Sequence, residues 1–308
     1  MAESGVEVSP ITIPGQQHDE GEPFPLALEC RSAGADLEAV AAWVAARAGE
    51  LVEAASRHGA VLFRGFPLRS ADDFDRFVAA FGLESFAYED SMSNAVRVNK
   101  TPRVFTANEA PPSVAIHFHH EMAQTPVSPS KLFFFCEEPA VEGGATPLCR
   151  SDVLWARLAA SRPEFARDCA AKGLRYTHVM PPSDDPASGM GRSWRSTLKA
   201  STPAEAERRL GAMGYSWEWL DDGCLRATTP VLPAVRALPG GRTSFYNQLI
   251  AAYHGWKDTR NDPSKAITFG DGTPLDPEAV AEAAALAESL AFDIPWRRGD
   301  VALVDNYV

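Results

Sequence analysis

The stretch His117-Phe118-His119-His120-Glu121-Met122 holds three of the chain's seven histidines and one carboxylate. In extended backbone, side chains alternate faces, so His117, His119 and Glu121 point one way and His120 the other. A neutral imidazole nitrogen and a carboxylate oxygen on one face are two arms of a 2-His-1-carboxylate claw for iron. Such a claw leaves the far side of the metal open for oxygen and a co-substrate. The plainer alternative is a polar strand end with solvated histidines, since an isolated H-x-E arises often by chance.

Working outward, residues 88–123 have no helical period, and 96–98 and 103–106 read as short strands leading to the histidines. Beyond them, the apolar run 131–136 (Lys-Leu-Phe-Phe-Phe-Cys) predicts a strand buried on both faces. Gly143-Gly144 ends it, and 146–148 is the expected return. Ser151 and Pro163 each open a helix. Further strands are expected at 174–180, 217–220, 225–229 and 244–248, then an alanine-rich helix over 277–290. After the turn Arg298-Gly299-Asp300, residues 301–305 alternate as a strand.

Upstream, Asp36 is placed to cap a helix with the stripe Leu37, Val40, Ala41, Val44, Leu51 and Val52, stopped by Gly59. Residues 60–63 form a buried strand. A second helix is capped by Ser70 and carries Phe74, Phe77, Val78 and Phe81 as core. Residues 1–25, rich in Pro, Gly and acid, predict an irregular N-terminal arm, with 26–308 as one domain. Many short strands with helices at front, middle and rear predict a mainly β fold with flanking helices, a sandwich or jelly roll.

At 308 residues, 45% hydrophobic, the chain is long enough for a large buried core. No apolar run approaches the roughly 20 residues of a membrane span, and the N-terminus lacks a secretory pattern. Cys30, Cys136, Cys149, Cys169 and Cys224 are scattered without C-x-x-C spacing and read as reduced cysteines of a cytoplasmic protein. A formal charge of −12 argues against nucleic acid or an anionic membrane as partner.

Taken in order, several blocks resemble one known family: Ala60-Val-Leu-Phe-Arg-Gly65, Phe105-Thr-Ala-Asn-Glu109, Phe118-His-His-Glu-Met-Ala123, Pro129 to Cys136, and Gly143-Gly-Ala-Thr-Pro147. Phe245-Tyr-Asn247, Thr268-Phe-Gly-Asp-Gly272 and Trp296 to Asn306 complete the series. The family is the TauD/TfdA group of iron(II)- and 2-oxoglutarate-dependent oxygenases. The H-H-E-M block looks closest to the SyrP-like branch, which uses Glu where taurine dioxygenase uses Asp.

The resemblance implies a double-stranded β-helix core (jelly roll, cupin-like) with Fe(II) near one mouth. It implies His119 and Glu121 as metal ligands and Thr146 against a carboxylate of 2-oxoglutarate, with Lys131 as a weaker contributor of charge. O2 is the other co-substrate. Retention of Glu121 implies hydroxylation or a related oxidation, because halogenases of this type replace the carboxylate by a small residue. The substrate implied is an amino acid or a relative of one, free or tethered to a carrier protein, in specialised metabolism. Asn108, Glu109, Arg192, Arg195 and Asn247 are the candidate substrate contacts, the two arginines on a loop expected to act as a lid.

The family's third ligand, a histidine beyond the Asp-Asn pair, and a later 2-oxoglutarate-binding arginine have no counterpart here. Asn306 is followed only by Tyr307 and Val308. The expectation is a polypeptide that continues past Val308, because a strand ending here would leave a sheet edge bare. The rival reading is a catalytically silent scaffold or sensor of the same fold. A zinc hydrolase has little support, lacking H-E-x-x-H.

Overall fold

The computed structural model describes residues 5–19, 21–85, 92–93, 97–107, 115–188 and 190–308. Where an irregular arm was expected, three short strands form: β1 (Val8–Ile11), β2 (Gln17–Asp19) and β3 (Glu22–Phe24). β2 and β3 pair with each other, and β1 pairs antiparallel with β4 (Leu26–Cys30). The proline-rich composition misleads because Pro10 sits in an edge strand, where a missing N–H is tolerated.

Helix α1 (Leu37–His58) starts where Asp36 accepts a hydrogen bond from the Ala39 N–H and stops at Gly59, whose φ of 78° favours glycine. β5 (Ala60–Arg64) follows, then α2 (Ala71–Ala79), capped by Ser70. Of the strands expected on the approach to the histidines, the described residues form one isolated bridge, Asn99 to Phe105. β6 (Lys131–Phe135) and β7 (Pro147–Leu148) come next, then α3 (Ser151–Ser161), α4 (Pro163–Lys172) and β8 (Leu174–Met180). They are followed by α5 (Trp194–Thr197), α6 (Pro203–Ala212), β9 (Ser216–Trp219) and β10 (Leu225–Thr228).

β11 (Arg236–Ala237) and β12 (Thr243–Ser244) form a small ribbon. The strand expected to run to residue 248 breaks off at Ser244, because the chain turns into α7 (Leu249–Gly255). The remaining elements are α8 (Pro263–Ala266), β13 (Ile267–Phe269), α9 (Pro277–Ser289), β14 (Phe292–Asp293) and β15 (Val301–Asp305). Helical residues outnumber strand residues among those described, so the fold is mixed β and α rather than mainly β.

Two sheets organise the molecule. The five-stranded sheet has the order β1-β4-β5-β15-β6, and the four-stranded one β13-β8-β10-β9. β15, expected to leave an edge bare, is interior, pairing antiparallel with both β5 and β6. β6 is instead the edge, and its residues are half-buried rather than buried on both faces. One face of the five-stranded sheet packs Val61, Phe63, Val301 and Leu303 against Val40, Val44 and Phe77 of the first two helices. The other packs Leu62 and Ala302 against Phe24, Phe292 and Ile294. Phe63 meets Phe77 edge-on at 5.3 Å between ring centroids. Burying a side chain of this size contributes about 1.5–3 kcal/mol, so this sheet is the rigid wall on which the site is mounted.

Candidate active site

The histidine stretch is not a strand. Residues 115–120 are irregular and lead into a turn, with Met122 buried in the left-handed region at φ 59°. That conformation costs a non-glycine residue about 1–2 kcal/mol and persists because side chains from two distant segments hold the backbone. Asn306, at the end of β15, accepts from the Glu121 N–H at 2.8 Å and donates to the Glu121 carbonyl at 3.0 Å and the Pro129 carbonyl at 2.7 Å. From the other side, the Gln248 side chain donates to the His120 carbonyl at 3.0 Å. The Asn247 carbonyl accepts from the His120 N–H at 3.2 Å.

So held, His119 and Glu121 face one another, with Nε2 and Oε2 3.8 Å apart. His119 Nδ1 lies 2.7 Å from the His117 carbonyl. A carbonyl can only accept, so Nδ1 carries a proton in either charge state, and Nε2 offers a lone pair only when the ring is neutral. Burial would lower the His119 pKa, but the hydrogen bond and charge of Glu121 outweigh it and the net shift is upward. Burial would raise that of Glu121, but the His119 hydrogen bond and the Arg97 charge bring it down. Arg97 Nη2 is 3.4 Å from Glu121 Oε2.

His120 turns away: Nδ1 meets the Asn306 carbonyl at 2.5 Å and Nε2 the Ser151 hydroxyl at 2.8 Å. Burial lowers its pKa to about 4, so it is a neutral structural group. His117 stands in the cavity wall, its ring 5.6 Å from that of His254.

The donor pair suits a divalent metal. Nitrogen and oxygen ligands sit at about 2.0–2.2 Å from such an ion, so one ion can span two atoms 3.8 Å apart. The carbonyl behind Nδ1 fixes the tautomer and ring orientation that metal-bound histidines need. Among the described residues, no group of three or more His, Cys, Asp or Glu is assembled for a metal.

The pair opens on a cavity of about 1410 Å³, lined by Phe133, Phe135, Val104 and Ile116 and by Thr146, Arg150 and Ser151 among others. Thr146 Oγ1 accepts from Trp296 Nε1 at 2.9 Å, which leaves its own proton to donate. Lys131 also lines the cavity, but Nζ is 3.1 Å from Asp305 Oδ2, so its charge is already matched.

Asn247 borders the cavity with its amide committed to Ala234 and Leu249. The lid arginines are not brought to it. Arg192 is buried and donates to Ser93 and Ser196, while Arg195 lies over Trp194 and donates to the Pro182 and Ser201 carbonyls. Arg195 braces the loop between β8 and α6, and Arg192 also ties that loop to Ser93. Asn108 and Glu109 lie outside the described residues. Sequence reasoning missed Asn306, Gln248 and Arg97. Only Asn306 carried a trace, as the polar residue that ends the last alternating strand.

These elements define a family. Residues 20–308 match the model described as taurine catabolism dioxygenase TauD, TfdA family, and the chain belongs to it. It is thus an oxidoreductase of the Fe(II)- and 2-oxoglutarate-dependent dioxygenase class. A clavaminate synthase-like protein of Arabidopsis thaliana is 41% identical over 301 residues, covering 96% of this chain and 91% of that one. The dapdiamide synthesis protein DdaC of Enterobacter agglomerans is 26% identical over 82% of this chain and 77% of its own. A taurine dioxygenase structure from Burkholderia xenovorans shares the fold, with a TM-score of 0.50 at 15% identity, covering 98% of this chain and 80% of that one.

Proposed function

We propose that His119 and Glu121 are two of the ligands of Fe(II), that Thr146 donates to a carboxylate of 2-oxoglutarate, and that the enzyme hydroxylates an amino acid or amino-acid-derived small molecule. The substrate is free or tethered to a carrier protein, in specialised metabolism, and the chain stands with the SyrP-like branch on a jelly-roll core. The observation that carries this reading is the His119–Glu121 pair at 3.8 Å with its tautomer fixed, at the edge of a large cavity. When bound, iron with 2-oxoglutarate and oxygen supplies the oxidising power; the chain orients the ligands and shields the reaction from water. A relative named for dapdiamide synthesis supports the assignment to specialised metabolism. Five unpaired cysteines fit a cytoplasmic setting.

The test is incubation with Fe(II), 2-oxoglutarate, oxygen and a panel of free and carrier-bound amino acids. Succinate should accumulate one for one with a product heavier by one oxygen atom. No substrate-dependent succinate from any member would sink the amino-acid assignment, and none under any condition would favour the silent scaffold. For the co-substrate, Thr146→Val should weaken 2-oxoglutarate binding about ten- to a hundredfold, the worth of one hydrogen bond to a charged group. An unchanged dissociation constant removes Thr146 from the site.

A further inference from the structure

The turn that carries the metal pair has a second face. Gln124 and Thr125, just beyond Glu121, line a separate cavity of about 30 Å³, closed by Tyr176, His178, Thr197 and Trp256 among others. Gln124, His178 and Thr197 are only 6%, 9% and 5% exposed. Gln124 Oε1, His178 Nε2 and Thr197 Oγ1 have no hydrogen-bond partner within the protein. Most buried polar atoms in native interiors have a hydrogen-bond partner, and three without one around a single cavity call for a ligand.

The chemistry of the three atoms selects it. The His178 ring already bonds the Met190 backbone, so Nε2 presents a lone pair. Gln124 Oε1 is an acceptor, and the Thr197 hydroxyl can donate. Two acceptors and a donor are the complement of one water molecule, with two hydrogens to give and lone pairs to receive. The volume exceeds the roughly 10–15 Å³ that one water needs. An ammonium ion of similar size would meet no carboxylate among the lining residues.

The cavity is also wired to the metal pair. The Tyr176 hydroxyl, in its wall, accepts from the Gln248 N–H at 3.0 Å, and the Gln248 side chain holds the His120 carbonyl between the two ligands. We infer that the cavity is a binding site for one internal water, which donates to His178 Nε2 and Gln124 Oε1 and accepts from Thr197. That water ties the metal-ligand turn to the four-stranded sheet.

A crystal structure of the full chain, at a resolution that resolves ordered solvent, should show one peak within about 3.2 Å of all three atoms. An empty cavity, or side chains rotated to pair elsewhere, would overturn the site. The tying role rests on His119 and Glu121 as metal ligands, and Mn(II) titration calorimetry reads it without turnover. Gln124→Met should lose the solvent peak and bind Mn(II) about tenfold more weakly, the range of an outer hydrogen-bonding partner of a metal site. If Gln124→Met does not fold, Thr197→Val, which removes only the hydroxyl, should show a smaller loss of the same sign. Wild-type affinity in a folded variant overturns the tying role. A wild type that binds no Mn(II) overturns the ligand assignment and the tying role with it, while the solvent peak alone decides the water.

Discussion

The two sheets differ in the polar groups buried deepest in them. The five-stranded sheet admits charge only as a closed pair: Arg64 makes three contacts to the Asp300 carboxylate at 2.6–3.2 Å and a fourth to the Pro295 carbonyl. Around that pair, Val61, Phe63, Val301 and Leu303 are fully excluded from water. The four-stranded sheet buries neutral groups, His178 on β8 with Gln124 and Thr197 beside it, and leaves atoms of each unpaired within the protein. A buried ion pair needs every partner supplied by the fold, because an unmatched charge is far more costly than an unmatched dipole. The turn of His119 and Glu121 hangs between these two surfaces, held by Asn306 at the end of β15 and by Gln248, whose N–H reaches the Tyr176 hydroxyl of β8.

The largest effect is expected on the turn itself. Glu121→Ala removes a proposed ligand while leaving both anchors, so oxygenation should fall by more than the roughly hundredfold reached by outer partners. Retained full turnover would end the assignment. On the five-stranded side, Arg64→Ala leaves Asp300, 1% exposed, as an uncompensated buried charge. Removing one partner of such a pair costs about 3–5 kcal/mol, read by urea denaturation. A loss below about 1 kcal/mol would mean that water reaches Asp300, and the contrast between the sheets would fail.

Asn306→Ala cuts the anchor without touching a ligand. Mn(II) affinity should drop by about ten- to a hundredfold, with a stability loss of about 1–3 kcal/mol from the unpaired Glu121 N–H and carbonyl. Unchanged affinity in a folded variant would show that the turn takes its shape from its Asn247 and Gln248 contacts alone.

Which parts were legible in the sequence follows from the same contrast. Regular elements with one apolar face, such as α1, α2, α9 and β15, announce themselves through period and caps. The order of strands does not: nothing local in Val301 to Asp305 says that β5 and β6 flank it. The partner of the residue pair His119 and Glu121 was readable, but the reason was not. Alternation in a strand and a turn strained at Met122 both put the two side chains together, and only the second is present. Arg192 and Arg195 were placed at the site because their loop was expected to act as a lid, yet backbone carbonyls, of their own loop and for Arg192 also of Ser93, hold them. Long-range hydrogen bonds such as Asn306 to Glu121, 185 residues apart, have no periodic trace.

The mildest consequence is a pH dependence read at His178. β8 buries His178, whose pKa burial lowers to about 4 from 6.5. Between those values the unfolded chain binds a proton that the folded chain refuses, so acid favours unfolding. The contribution is fully present above pH 6.5 and is lost as pH falls toward about 4. The slope from one such group is at most about 1.4 kcal/mol per pH unit. His120, lowered to about 4 by the same cause, and His58 and His117, also lowered by burial, add slopes of their own, so the wild type alone cannot apportion them. Comparing it with His178→Gln can: the stability difference between the two should shrink steadily below pH 6.5, because only the wild type loses the His178 contribution. A difference that stays constant down to pH 4.5 would mean that His178 takes up its proton in the folded state. The four-stranded sheet would then tolerate a buried charge after all.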